Sequence, residues 1–141
     1  MTKRIFFDLD HTLLYSHEKD PKQAHLFFEI DVGEWKEKNY TIIRPQAQSV
    51  IDYARELFRK ENVFILTANL PEYAAKINEL ANLGFLKENI ICRDELENYR
   101  YPIAYGASAY LAGKLAGPNN LLIDNLPPRQ NESKICYLGM G

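Results

Sequence analysis

Asp8 and Asp10 stand on either side of one leucine, directly after the apolar run "RIFF", and Thr12 follows two residues later. Carboxylates held together repel each other and are tolerated when a cation sits among them. An oxygen-only ligand set of this kind suits Mg²⁺, which takes carboxylates and keeps several waters. Asp8, Asp10, Asp124 and Asn125 are the candidate metal ligands, through side-chain oxygens and a backbone carbonyl. With the cation in place, one Asp8 oxygen remains to attack phosphorus, since aspartate is a covalent nucleophile in aspartyl-phosphate chemistry. Asp10 then has a different role, protonating the leaving oxygen and later taking a proton from water. Thr67, with the backbone N–H groups of Ala68 and Asn69 ahead of the next helix, is placed to hold phosphate oxygens. A lysine completes such a site by neutralising the phosphoryl group, and Lys114, ahead of the last acidic pair, is the candidate.

These residues need a scaffold that brings them together. Residues 3–8, "KRIFFD", read as a strand buried on both faces. "HLFFEIDVGEWKEKNYTIIRP" holds two strand-like runs around Gly33, a hairpin with a longer loop. Pro45 opens a helix in which Val50, Ile51, Ala54, Leu57 and Phe58 share a face. "NVFILT" is a second buried strand. Pro71 starts a helix with Ala74, Ile77 and Leu80 inward and Gly84 as its C-terminal cap. "NIICR", "NLLID" and "KICYL" read as further strands, with a weak helix at "ASAYLAGKLAG". Strands alternating with helices predict an α/β fold, a parallel sheet of about five strands with right-handed crossovers. Asp8, Thr67 and Asp124 each end a strand, and ligands bind outside the C-terminal ends of such a sheet.

The 141 residues predict one domain, 1–141. With 46% hydrophobic and 26% charged residues the chain is globular rather than disordered. A net charge of −2 gives no basic field, so no obligate nucleic-acid partner is expected. No apolar run approaches membrane-spanning length, and the N-terminal apolar run is too short for a signal peptide. Cys92 and Cys136 sit in apolar runs and read as buried reduced thiols, and a cytoplasmic location is expected.

"DLDHT" resembles the first motif of the haloacid dehalogenase-like (HAD) superfamily, D-x-D-x-T, while "ILTAN" is similar to its second motif and "LLIDN" to its fourth. Lys114 resembles the lysine of the third. The resemblance implies a Rossmann-like sheet and Mg²⁺-dependent phosphoryl transfer. It makes Asp8 the nucleophile and Asp10 the acid/base, puts Thr67 and Lys114 on phosphate, and gives Asp124 and Asn125 to the metal. It also implies a hairpin flap after the first motif, at residues 15–44, with Trp35 in it or its packing. No insertion large enough for a separate cap domain is visible, and an open site suits a large substrate, a phosphoprotein or a nucleic-acid end.

Two subgroups share these features. "DLDHTLL", "IIRPQAQSVIDYA" and "TANLPEYAAKI" resemble small phosphatases related to the RNA polymerase II C-terminal-domain phosphatases. The ten-residue spacing from Lys114 to Asp124 is instead similar to that of 5'(3')-deoxyribonucleotidases, and Ser108 is the competing position under the first pattern. A catalytically silent phosphoryl-binding module is the reading from another class, which the paired aspartates oppose. His11 is assigned a packing or flap role. Arg44 reads either as a contact to substrate or as part of a structural salt bridge. Tyr99, Tyr101 and Tyr105 read as partly buried loop aromatics.

Overall fold

β1 (Arg4–Phe7) owes its place to its composition: Ile5, Phe6 and Phe7 are strand formers buried on both faces of the sheet. The computed structural model describes residues 3–16, 18–31, 33–92, 120–124 and 135–137, with backbone only for 120, 124 and 135–137. After β1 the elements are β2 (Leu14–Tyr15), β3 (Leu26–Asp31), β4 (Lys36–Ile43), α1 (Ala47–Phe58), β5 (Val63–Leu66), α2 (Pro71–Leu80), β6 (Ile90–Ile91), β7 (Asn120–Asp124) and β8 (Ile135–Tyr137).

The main sheet is parallel, five-stranded among the described residues, in the order β6-β5-β1-β7-β8. β1 is central, flanked by β5 and β7, so the three polar strand ends are neighbours as the sequence predicts. Phe6 lies opposite Phe64 in the β1–β5 register, and their rings stack with centroids 4.8 Å apart. One face of the sheet carries Ile5, Phe7, Val63 and Ile65 into a core with Ile51 and Ala54 of α1 and Ala74 and Ile77 of α2. Each large side chain buried there contributes roughly 1.5–3 kcal/mol.

β2, β4 and β3 form a separate antiparallel sheet, the expected flap. Its hairpin register runs from Leu26 opposite Thr41 to Asp31 opposite Lys36, and Gly33 takes φ 82 in the connecting loop. Phe28 and Ile30 face the core, while Phe27 and Trp35 face solvent. Trp35 is therefore in the flap but not in its packing.

The helices depart from the sequence reading at their ends and edges. Pro45 does not open α1. It sits in a turn closed by Ala47 N–H to Arg44 O at 3.0 Å, with Gln46 left-handed at φ 67, and the helix begins at Ala47. Val50 and Leu57 are exposed, because the stripe that meets the sheet is Ala47, Ile51, Ala54 and Phe58, rotated away from them. Leu80 is likewise exposed. Gly84 is not the cap of α2. Asn82, at φ 53, takes the left-handed position; its N–H donates to Glu79 O and that of Leu83 to Asn78 O, which closes the helix two residues earlier. Gly84, at φ 80, admits the Arg55 guanidinium, 3.3 Å from where a Cβ would stand. Arg55 there donates to Leu83 O.

Candidate active site

The register puts Phe7 opposite both Ile65 and Ile123, so Asp8 is level with Leu66 and with Asp124 at the end of β7. Asp8 N–H continues the ladder to Ile123 O at 2.9 Å, and Thr67 N–H does the same to Ile91 O at 2.9 Å. Backbone pairing therefore fixes where the first, second and last motifs begin.

Beyond Asp8 the chain folds into a tight turn. Leu13 N–H donates to Leu9 O at 3.0 Å, and the apolar Leu9 and Leu13 anchor the turn in the core. His11 bends the backbone at φ 64 and lays its ring against Tyr15, centroids 5.3 Å apart. Arg44 staples this turn from the far end of the flap. Its Nε donates to Thr12 O at 2.6 Å, its Nη2 to His11 O at 3.2 Å and its N–H to Leu13 O at 2.9 Å. The Arg44 guanidinium holds backbone rather than a carboxylate.

The turn sets the two aspartates in different surroundings. Asp8 accepts from the buried Thr12 hydroxyl, Oγ1 to Oδ2 at 3.0 Å. Asp10 receives three donors. Tyr73 donates to Oδ1 at 2.6 Å, Ser16 to Oδ1 at 3.3 Å and Asn69 Nδ2 to Oδ2 at 3.1 Å. Burial, and then the Asp10 carboxylate, push the Tyr73 phenol well above its usual pKa, so it stays protonated and donates.

Thr67 is buried at the end of β5, and its Oγ1 accepts from Asn69 N–H at 3.1 Å. The residue capping α2 is Leu70, so this bond belongs to the turn ahead of the helix. Asn69 Oδ1 accepts from Leu70 N–H at 2.8 Å, which turns its amide nitrogen toward Asp10. Ala68, half-buried, lies between them. Sequence reasoning proposed Thr67, Ala68 and Asn69 for phosphate; the structure places them in the turn after β5, with Asn69 bonded to Asp10. It missed Ser16 and Tyr73. Tyr73 had a signal, since it shares the α2 face of Ala74 and Ile77, and a buried phenol needs a partner. Lys114, Ser108, Asn125 and the three loop tyrosines, Tyr99, Tyr101 and Tyr105, lie outside the described residues, as do the weak helix at "ASAYLAGKLAG" and the side chain of Cys136. Cys92 is buried as expected.

Among the described residues no group of three or more His, Cys, Asp or Glu is assembled around one point. The candidate ligands whose side chains the structure describes, Asp8 and Asp10, offer oxygens only, and the backbone of Asp124 is level with Asp8 on the next strand. That chemistry fits a hard divalent cation such as Mg²⁺.

A central-strand aspartate pair, a threonine ending the next strand, a third aspartate across the sheet and a flap after the first motif define a protein of the HAD class. The chain belongs to the NLI interacting factor-like phosphatase family, whose model matches residues 3–103. Of the two subgroups the sequence suggested, this is the one related to C-terminal-domain phosphatases. The fold is similar to that of Fcp1, described as an essential RNA polymerase II CTD phosphatase, with TM-score 0.72, 15% identity and 97% of this chain covered. It is also similar to a variant of the fission yeast RNA polymerase II CTD phosphatase Fcp1 bound to beryllium fluoride, with TM-score 0.67, 14% identity and 89% of this chain covered. The chain spans 41% and 37% of those two chains. No curated protein matches it.

Proposed function

We propose that this chain is a Mg²⁺-dependent phosphomonoester hydrolase working through phospho-Asp8, on a large phosphorylated substrate such as a phosphoprotein or a nucleic-acid end, in the cytoplasm. The observation that carries this reading is the division of labour between two adjacent carboxylates. Asp8 stands at the end of the central strand, level with Asp124, and Asp10 is turned aside into three protein donors.

In the first step an Asp8 oxygen attacks phosphorus. The bond from phosphorus to the ester oxygen breaks, and Asp10 gives its proton to that oxygen. In the second step Asp10 takes a proton from a water that attacks the phospho-Asp8 phosphorus. Inorganic phosphate leaves and Asp8 is restored. Asp8, Asp10, Asp124 and Asn125 would hold Mg²⁺, which would supply charge neutralisation for the phosphoryl oxygens. Thr67 and the turn after it line the phosphate side of the crevice. Lys114 is the proposed phosphate-neutralising lysine.

The test is hydrolysis of p-nitrophenyl phosphate with and without Mg²⁺ by the native chain and by Asp8→Asn. Metal-dependent turnover that disappears in the variant is expected. Equal, metal-independent rates in both would sink the mechanism. Phosphopeptides set against deoxynucleotides then separate the proposed substrate class from small nucleotides.

A further inference from the structure

We infer that Tyr73, together with Ser16 and Asn69, is a positioning residue that locks the Asp10 carboxylate in its proton-transfer orientation. This rests on the reading above, in which Asp10 carries protons to and from the ester. The three donors come from three separate parts of the chain. Ser16 follows β2 at the start of the flap, Asn69 lies in the turn after β5, and Tyr73 is in the first turn of α2. Two of them grip Oδ1 and one grips Oδ2. The terminal torsion of an aspartate is otherwise broad, and a carboxylate free to rotate spends little time aimed at a leaving oxygen.

Tyr73 is the rigid member of the set. It makes the shortest of the three bonds, at 2.6 Å, and its side chain is 3% exposed. Its ring packs against Phe28 of β3, with centroids 5.8 Å apart, and shares the core with Ala74 and Ile77. Packing alone asks only for a phenylalanine. A buried hydroxyl is costly without a partner, and Asp10 accepts from it at 2.6 Å. Asn69 is itself fixed, because the bond from Leu70 N–H to its Oδ1 decides which end of the amide faces Asp10. The hydroxyls of Tyr73 and Ser16 accept as well as donate, so the grip on Oδ1 persists as Asp10 gives and takes its proton. Phe28 also ties Tyr73 to the flap, so the hairpin supports the residue that aims Asp10.

The test is Tyr73→Phe, which deletes one oxygen and keeps the ring. kcat/KM is measured over phosphate monoesters of increasing leaving-group basicity, from p-nitrophenyl to an alkyl ester. An acid is needed most by the poor leaving group. Loss of a hydrogen bond to a charged group therefore lowers kcat/KM for the alkyl ester by about ten- to a hundredfold, and by about tenfold more than for the p-nitrophenyl ester. Asp10→Asn gives the same slope, steeper, and adding Tyr73→Phe to it causes no further loss. An equal fall for every ester, no fall, or losses that multiply in the double variant would each overturn the positioning role. Should Tyr73→Phe fail to fold, Ser16→Ala must show the same slope at smaller amplitude. Turnover by the native chain that depends on Asp8, with a flat response in Tyr73→Phe, overturns this inference alone. No Mg²⁺-dependent turnover by the native chain overturns the parent reading and this one with it.

Discussion

Among the described residues, two of the regions that hold polar side chains in the interior use them in opposite ways. At the junction between α2 and β6, Asn78 pairs with the main chain of Phe85 in both directions, Nδ2 to O at 3.0 Å and N–H to Oδ1 at 2.9 Å. Asn89, 5% exposed, directs its amide at the carbonyls of Lys60, Glu61 and Val63, the last at 3.1 Å. These amides tie the connections around β5 and α2 together through their backbone, which is an architectural role. At the end of β1 the bonds run from side chain to side chain and converge on two carboxylates. Nothing in the folding of a sheet requires two neighbouring acids there, and their mutual repulsion works against it. The direction of buried hydrogen bonds, toward backbone or toward ionisable groups, thus separates the parts that hold the fold from the part that does chemistry.

That separation is open to attack by substitution. The largest effect belongs to Asp8→Asn. Turnover falls by at least about a thousandfold, as for loss of a nucleophile acting in a unit. The thermal midpoint does not fall, because an isosteric amide removes one of two repelling charges. Steady-state kinetics and calorimetry on one preparation check both halves; a variant that loses activity by unfolding would break the comparison. Asn89→Ala is the mirror image. It removes the bonds of a buried amide to three carbonyls and lowers unfolding free energy by about 2–3 kcal/mol, with kcat within about twofold well below its melting point. Arg44→Ala sharpens the boundary, since Arg44 serves backbone like the asparagines but in the reactive turn. It loses about 1–2 kcal/mol of stability and about tenfold in kcat, the second because the turn carries Thr12, the partner of Asp8. A kcat effect without a stability effect would mean that Arg44 meets substrate.

What the sequence made legible follows from the same physics. The strands of the main sheet were readable because parallel strands buried on both faces leave unbroken apolar runs, and their polar ends were readable because the runs stop there. The hairpin was readable from two strand-like runs around Gly33, and its place as a flap from the motif resemblance. The helix ends were not, because Asn82 can take the left-handed role that glycine usually fills, and because Gln46 turns the chain after Pro45. Val50, Leu57 and Leu80 fitted the helical stripes, yet the sheet meets only part of each stripe. Asp8, Asp10 and Thr67 were proposed from type and spacing, together with the motif resemblance. Ser16 and Tyr73 were not, since their value lies in a contact with Asp10 over 6 and 63 residues of sequence that no local pattern encodes.

The smallest predicted effect falls on the residue that most invites a catalytic role. His11 sits between the two aspartates, yet its backbone stands at φ 64 and its ring rests against Tyr15. A histidine in the left-handed region costs roughly 1 kcal/mol relative to glycine. In His11→Gly that strain is relieved, while the ring contact is lost and the unfolded chain gains freedom, about 0.5–1 kcal/mol each. The balance keeps the urea midpoint close to native, within about 1 kcal/mol, and kcat within about threefold. A proton-carrying histidine would instead lose about a hundredfold or more. Such a loss would move His11 to the chemical side of the comparison. A small change would show that, even within the reactive turn, a residue can serve the fold rather than the chemistry.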